Sequence, residues 1–206
     1  MSFSLNLFQQ NIQHSQLGSS CVLNRTKDLS SFLYLIQEPY NYKEKTRLLD
    51  NQHSILGSSH PDNRAIIYGH QNLHLWPDSR FCSRDVSACL WKTGSSKLGE
   101  IVLLSVYWAK DQDSLPFELL EAVHFCNKNG VPYLISIDAN AHNPLWNDKD
   151  LDDRGILIES FLDSNPVTLL NKGDVATFHN TRGHSTFIDL TIINRAYSRR
   201  HITVLP

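Results

Sequence analysis

With 206 residues, 41% of them apolar, and a formal net charge of −2 at neutral pH, the chain has the composition of one globular domain. No window approaches the roughly 18 unbroken apolar residues of a membrane span, and the N-terminus lacks the charged start and long apolar centre of a signal peptide. We therefore expect an intracellular protein with no membrane partner. The near-neutral charge argues against strong nucleic-acid binding by the whole surface, but it allows an enzyme that holds phosphate through a metal ion and carboxylates.

Short apolar segments with alternating or β-branched residues predict a chain made mostly of β-strands. The predicted strands cover residues 3–8, 32–36, 64–68, 73–76, 86–91, 100–107, 133–138, 167–170 and 187–193. A loose helical pattern covers residues 16–31, and the polar segment 41–62 shows little periodicity and is expected to lie on the surface. Strands that follow one another without helices over residues 64–107 favour antiparallel pairing.

Two clearer helices are predicted in the second half of the chain. The first opens at Ser114 and Pro116 and closes at Gly130, and the second begins near Arg154. Their expected buried faces contain Leu119, Leu120, Val123 and Cys126, and then Leu157, Ile158, Phe161 and Leu162. We also expect Trp76, Trp91 and the four reduced cysteines (Cys21, Cys82, Cys89 and Cys126) in the core, and no structural zinc. Many strands and few helices predict a sheet-on-sheet core with helices outside.

Polar side chains cluster where the predicted strands end. Asp138 follows a β-branched strand, and Asn140 lies two residues on, so both would project to one side if the chain stayed extended. Such a pair can hold a water molecule and a phosphate oxygen at once, although an ordinary turn after a strand explains the same residues. Polar residues also end the strands at 10–11, 37–39 and 107–108, and Asp189 lies in an apolar run where a buried carboxylate needs a partner. Together these residues indicate one site at an edge of the sheets.

The order of these motifs resembles the endonuclease/exonuclease/phosphatase superfamily, and within it the apurinic/apyrimidinic-like endonuclease domains of non-LTR retrotransposons. The matching residues are Asn11, Gln37-Glu38-Pro39, Ser105-Val106-Tyr107, Ile137 to His142, Arg154-Gly155, Thr177-Phe178 and Ser185 to Thr191. The resemblance implies one α+β domain over residues 1–206, built as a four-layer α/β/β/α sandwich of two mostly antiparallel sheets with the helices outside. It also implies metal-dependent hydrolysis of DNA phosphodiester bonds, which nicks a target site for retrotransposition.

The resemblance also implies roles for particular residues. Glu38 matches the carboxylate that binds Mg²⁺ or Mn²⁺, and Asn11 matches the amide beside that metal. Tyr107 matches the donor to the scissile phosphate, and Asp138 the acid that orients or deprotonates the attacking water. Two further matches are Asn140, which contacts phosphate in the family, and Asp189, which orients a histidine there.

One departure from the family pattern is expected to matter. The family ends with a Ser-Asp-His motif, which is absent from these 206 residues, and a missing stabilising donor or base costs about 10²–10³ in turnover. We therefore expect weak or no activity from the chain by itself. The alternatives are a catalytically impaired domain that only binds DNA or a partner, and a phosphatase acting on a small ester. Further expected features are a downstream reverse-transcriptase domain and nuclear localisation if the chain acts on chromosomal DNA.

Several other polar residues have a plainer interpretation. His142 is expected to pack in its loop, with a substrate contact as the alternative. The acidic cluster of Asp148, Asp150, Asp152 and Asp153 lacks the glycine and final glutamate of a calcium loop, so we expect a solvated loop that caps a helix. The basic residues Arg182, His184, Arg195, Arg199 and Arg200 are equally consistent with DNA-backbone contacts and with exposed turns.

Overall fold

A computed structural model describes residues 5–47, 53–93, 99–171, 176–179 and 185–195 of the chain. The α-helices in these ranges are α1 (Gln16–Thr26), α2 (Phe117–Asn129) and α3 (Asp153–Ser164). The strands are β1 (Asn6–Asn11), β2 (Phe32–Gln37), β3 (Asn41–Tyr42), β4 (Lys45–Thr46), β5 (His53–Gly57), β6 (Ala65–His70), β7 (His74–Pro77), β8 (Val86–Lys92), β9 (Glu100–Tyr107), β10 (Tyr133–Asp138), β11 (Val167–Leu169), β12 (Phe178–His179), β13 (Ser185–Thr186) and β14 (Asp189–Asn194). None of the described helices has the length and apolar character needed to cross a bilayer.

Two sheets form the centre of the fold. The smaller has the strand order β1-β2-β6-β5, and the larger has the order β11-β14-β10-β9-β8-β7. Each sheet contains one parallel pair, β1 with β2 and β9 with β10, and the other neighbours are antiparallel. A parallel pair needs a crossover connection, and α1 and α2 supply the two crossovers. The carboxyl ends of β1 and β2 therefore lie side by side, as do those of β9 and β10.

Three hydrophobic clusters separate four layers. Leu33 and Leu35 of β2 meet Leu103 and Leu134 of the larger sheet in the cluster between the sheets. On the outer face of the smaller sheet, Val22 of α1 packs with Phe32, Tyr34 and Ile36. The largest cluster joins α2 and α3 to the outer face of β8, β9, β10 and β14. The α/β/β/α sandwich implied by the sequence is confirmed, and coverage on both faces explains why every residue of β2 is buried.

The polar segment 41–62 is more regular than predicted. It contains β5, which pairs with β6 at the edge of the smaller sheet, and the short hairpin formed by β3 and β4. An edge strand buries little of its surface, and β5 alternates between partly buried and exposed residues. Its polar composition therefore concealed a strand. The first strand, β1, ends at Asn11 rather than at residue 8, so that Gln9 and Asn11 lie inside it, and the predicted strand residues 3–4 lie outside the described residues.

Four residues predicted for the core are exposed instead. Trp76 is 57% exposed because β7 is the outermost strand of its sheet, and Leu120 and Leu157 are each 42% exposed because they lie beside the buried stripes of their helices. Cys21 is also exposed, whereas Cys89 and Cys126 are buried and Cys82 is intermediate. The prediction for Trp91 is confirmed, since it packs between the two sheets.

Candidate active site

The two parallel strand pairs bring distant polar residues to one edge of the sandwich. Asn11 ends β1, and Glu38 directly follows β2, its neighbour. In the larger sheet, Asp138 lies beside Tyr107 of β9 on one side and beside Asp189 of β14 on the other. The sequence-predicted site residues therefore converge from both sheets.

The side-chain amide of Asn11 links the two sheets at this edge. Its Nδ2 donates to Glu38 Oε2 over 2.9 Å and to Asp138 Oδ2 over 2.7 Å. Its Oδ1 accepts from the backbone N–H of Gln13 over 2.8 Å, and this bond fixes the orientation of the amide, since the reversed amide would set oxygen against two carboxylates. One neutral group thus holds two acidic side chains that are 100 residues apart in the chain.

Glu38 and Asn140 both have left-handed backbone conformations, with φ of 48° and 44°. Such conformations cost about 1 kcal/mol or more for residues other than glycine and concentrate at functional sites. The backbone of Glu38 is held by bonds from its N–H to Arg64 O (2.8 Å) and from His14 N–H to its carbonyl (2.7 Å). Of the two alternatives for this segment, the structure shows the turn, and the extended path from Asp138 to Asn140 is not formed. Asn140 instead turns back, so that its N–H donates to Asp138 Oδ1 over 3.2 Å and its Nδ2 donates to Trp108 O over 3.1 Å.

The paired carboxylates of Asp138 and Asp189 hold protons more tightly than usual. Asp138 is 2% exposed, and this burial raises its pKa against the opposing effect of the bonds from Asn11 and Asn140. The carboxyl group of Asp189 is enclosed although the residue is partly exposed, and burial followed by the charge of Asp138 raises its pKa to about 7. Gln9 supports this pair, since its Nε2 donates to Ile137 O over 3.1 Å and approaches Asp189 Oδ1 at 3.5 Å.

Tyr107 is a hydrogen-bond donor beside these acids. Burial, followed by the charge of Glu38 and the hydrogen bond to it, raises the pKa of the phenol well above its usual value. The phenol therefore keeps its proton over the working range of an enzyme. The Arg64 guanidinium lies 5.0 Å from the centre of the Tyr107 ring and pairs with Asp85 (Nη2 to Oδ2, 2.7 Å), so the cation beside the ring is itself held in position.

Arg154, noted in the sequence as a motif residue and the start of a helix, joins the loops that follow β9 and β10. Its Nη2 donates to Trp108 O over 2.8 Å and to Ala139 O over 2.9 Å. Its Nη1 donates to Gln112 O over 2.8 Å and to Ala109 O over 3.1 Å, and its Cζ lies 3.5 Å from the centre of the Trp108 ring. The same Trp108 carbonyl accepts from Asn140, so Arg154 helps to set the position of that residue.

The acidic loop before α3 caps that helix, as predicted, but it is not solvated throughout, because Asp148 is buried. Asp152 caps α3 by accepting from Gly155 N over 2.7 Å. Asp148 Oδ2 lies 3.0 Å from His142 Nδ1 and accepts from Phe187 N over 3.1 Å; burial alone would raise the pKa of Asp148, but these bonds lower it. His142 is therefore held within its loop. Of the predicted basic residues, Arg195 donates to Val167 O over 3.2 Å, and the other four lie outside the described residues.

The donors at this edge fit a magnesium ion that keeps most of its waters. Glu38 and Asp138 both accept hydrogen bonds from the neutral Asn11 amide. Burial is the main cause of the raised pKa of Asp138, and the negative charge of Glu38 is a smaller one. A divalent cation would therefore neutralise an excess of negative charge. In the described part of the chain, no three His, Cys, Asp or Glu side chains converge as a metal-binding group. Magnesium needs as few as one or two carboxylates, whereas structural zinc takes four protein ligands and catalytic zinc three.

Comparisons with known proteins agree with this architecture. The model of the endonuclease-reverse transcriptase family matches residues 101–205. The fold is similar to the endonuclease domain of TRAS1, a telomere-specific non-LTR retrotransposon, with a TM-score of 0.74 and 22% identity over 92% of this chain and 85% of that one. It is also similar to the APE2 catalytic domain of Xenopus laevis, with a TM-score of 0.65 and 11% identity over 92% of this chain and 82% of that one. A third similar structure is an AP endonuclease from Archaeoglobus fulgidus, with a TM-score of 0.58 and 12% identity over 97% of this chain and 90% of that one. No curated protein matches the chain by sequence.

Proposed function

The chain belongs to the endonuclease-reverse transcriptase family, and from that premise we propose that it is a divalent-metal-dependent endonuclease that hydrolyses DNA phosphodiester bonds. One observation carries the proposal: Asn11 bonds to both Glu38 and Asp138, which lie beside the protonated phenol of Tyr107. A cation-binding carboxylate, a base and a proton donor are the groups that attack of water on a phosphodiester requires.

Glu38 and Asn11 are the proposed holders of Mg²⁺ or Mn²⁺. The bound ion would supply a Lewis acid that stabilises negative charge on the phosphate or the leaving oxygen. Asn11 keeps Glu38 and Asp138 close together in spite of their like charges, because each carboxylate accepts from the same amide. The left-handed backbone of Glu38 turns its side chain into the site at a cost in conformational energy, which is common for residues that bind ligands.

Asp138 is the proposed general base. Its raised pKa places it closer to the operating pH of a base than an exposed aspartate would be. The Asn140 N–H and the Asn11 amide both donate to this carboxylate and fix its direction, and Asn140 is the proposed contact to phosphate. Asp189 holds a proton at acidic pH and carries a negative charge above about pH 7, where it could orient a histidine.

Tyr107 is the proposed donor to a non-bridging phosphate oxygen. After burial, the charge of nearby Glu38 helps to keep the proton on this phenol, and an arriving phosphate oxygen would accept a hydrogen bond from it. Arg154 positions the reacting groups without touching them, because it fixes the Trp108 and Ala139 carbonyls beside Asn140.

We further propose that the biological reaction is nicking of a chromosomal target site during retrotransposition. Two findings support this: the family match and the likeness of the fold to a retrotransposon endonuclease domain. The proposal implies DNA as the substrate, a linked reverse-transcriptase domain as partner and work in the nucleus.

The test is nicking of supercoiled plasmid with Mg²⁺ or Mn²⁺ and with EDTA. We expect slow, EDTA-sensitive nicking that Asp138→Asn reduces by about 10²-fold or more. The matched control is Asp150→Asn, which changes an exposed residue in the loop before α3 and should leave the rate unchanged. Nicking that persists in EDTA, or that Asp138→Asn does not slow, would contradict the proposal. Saturable DNA binding with no nicking would support the alternative of a domain that only binds DNA.

A further inference from the structure

An exposed hairpin beside the site carries a concentration of positive charge. The hairpin of β3 and β4 presents Lys43 in its turn, Lys45 in β4 and Arg47 just after β4 to solvent, with Glu44 as the one carboxylate among them. Tyr42 is 54% exposed, and Lys43 Nζ lies 5.4 Å from the centre of its ring. The chain as a whole has a formal charge of −2, so the three cations stand out against the average surface.

The hairpin is held in one conformation. Lys43 and Glu44 have φ of 50° and 60°, and two successive left-handed residues form the type I′ turn that suits a two-residue hairpin. At its base, Asn41 Nδ2 donates to Asn63 O over 2.7 Å, and Thr46 Oγ1 donates to Asn41 Oδ1 over 3.1 Å. Arg47 N–H closes the base by donating to Tyr40 O over 2.9 Å. The cations therefore project from a fixed support.

The hairpin is connected to the candidate active site by a short stretch of chain and by a backbone anchor. Asn41 is three residues beyond Glu38, so the Cα atoms of these two residues are at most about 10 Å apart, and the tip is a few residues further. The Asn63 carbonyl that anchors it precedes Arg64, which bonds to Glu38 N–H and packs on Tyr107. A groove of about 330 Å³ separates the hairpin from the β5–β6 turn, and its walls include the polar side chains of Thr46, Ser58, His60 and Asn63.

We propose that this hairpin binds the phosphate backbone of duplex DNA several base pairs from the bond that is cut. Duplex DNA rises about 3.4 Å per base pair, so a surface up to roughly 20 Å from Glu38 can meet phosphates as far as about six base pairs away. Lysine and arginine on a rigid turn fix the position of a duplex without reading its bases. The inference rests on the proposed endonuclease function, and it adds that the duplex extends from the active site toward the β3–β4 hairpin.

The test measures binding rather than cleavage. A fluorescent duplex of about 20 base pairs is titrated with protein in EDTA at salt concentrations from about 50 to 200 mM, and the logarithm of the affinity is plotted against the logarithm of the salt concentration. Each phosphate contact adds about 0.9 to the slope, so Lys43→Gln/Lys45→Gln should lower its magnitude by about 1.8 and weaken binding roughly 50-fold near 0.1 M salt.

The matched control is Lys27→Gln/Lys128→Gln, which removes the same charge from exposed residues at the ends of α1 and α2. Those ends lead into the starts of β2 and β10 and so lie at the edge opposite the site. An equal loss in both variants, or an unchanged slope in the hairpin variant, would overturn the proposal. The proposal would also be overturned if the hairpin variant lost binding to polyglutamate while the salt dependence of its DNA affinity stayed unchanged, because that result would assign the surface to an acidic protein.

The outcomes for the two proposals can be separated. If the wild-type chain cuts no DNA but the hairpin variant lowers the salt slope, the hairpin binds DNA and the proposed catalytic function fails. If the wild-type chain nicks plasmid and the slope does not change, the endonuclease proposal stands and the hairpin proposal is wrong. Circular dichroism of each variant verifies that the fold is retained.

Discussion

Replacing Arg154 tests whether its planar fork of donors holds together the two loops that follow β9 and β10. In Arg154→Met, the Ala139 carbonyl loses both of its bonds to the guanidinium. The Trp108 and Gln112 carbonyls each keep another donor, the Asn140 amide and the Trp108 indole N–H. One unsatisfied carbonyl costs about 1–3 kcal/mol, and the lost cation–π contact costs about 1 kcal/mol. We therefore expect the free energy of unfolding to fall by about 3 kcal/mol.

Arg154→Lys separates charge from geometry. A lysine keeps the positive charge near Trp108 but cannot donate along four directions from one plane, so we expect it to recover about half of the loss. Urea unfolding gives the free energies, and amide hydrogen exchange at Ala139 and Asn140 reports on the loop. The control is Arg84→Met, an exposed residue that pairs with Asp62, which should change stability by less than about 0.5 kcal/mol. The reasoning fails if Arg154→Lys matches wild type or if Arg154→Met costs no more than the control.

Two further predictions concern the acids. The pKa of Asp189 is raised to about 7 in the folded state, so its contribution to stability is full below about pH 4 and is lost as pH rises through about 7. The wild-type protein should therefore lose unfolding free energy between about pH 5 and pH 8 in EDTA. Asp189→Asn should make this loss smaller by about 2 kcal/mol, whereas the control Asp150→Asn should leave it unchanged. Equal pH dependence in both variants would contradict this. Glu38→Gly relieves a left-handed backbone and a like-charge contact, so its unfolding free energy in urea without metal should stay the same or rise by about 1 kcal/mol. The control Glu100→Gly in β9 should instead lower the unfolding free energy by about 0.5–1 kcal/mol. A large loss for Glu38→Gly would refute the strain argument.

The sequence predicted the elements better than their exposure. Short, nearly continuous apolar segments identified strands such as β2 and β10, because strands that are covered on two faces contain apolar residues on both sides. The same reasoning missed β5, since an edge strand needs few apolar residues, and it placed Trp76 in the core because a pattern does not distinguish an edge strand from a central one. Register and strand order depend on contacts between distant residues, which a local pattern does not contain.

The site was predicted as a set of residue types, and the structure adds how they are joined. The family resemblance identified Asn11, Glu38 and Asp138, but nothing in the sequence says that one amide bonds to both acids across separations of 27 and 127 residues. Gln9 received no role, although alternation along β1 places it on the same face as Asn11. Arg154 was noted as a motif residue, and its four carbonyl partners became visible when α3 was placed against the loops after β9 and β10.

Strain and like charge concentrate at the edge where β1, β2, β9 and β10 end. Glu38 and Asn140 adopt costly backbone conformations there, and Asp138 and Asp189 lie directly opposite each other with raised pKa values. A fold optimised for stability alone would replace these features, because each costs free energy and none fills the core. They persist because two packed sheets, two helical crossovers and the Arg154 contacts over-determine the loops. The positive charge of a divalent cation would remove much of the electrostatic cost, which is why the metal-free site is the state in which these costs should be measured.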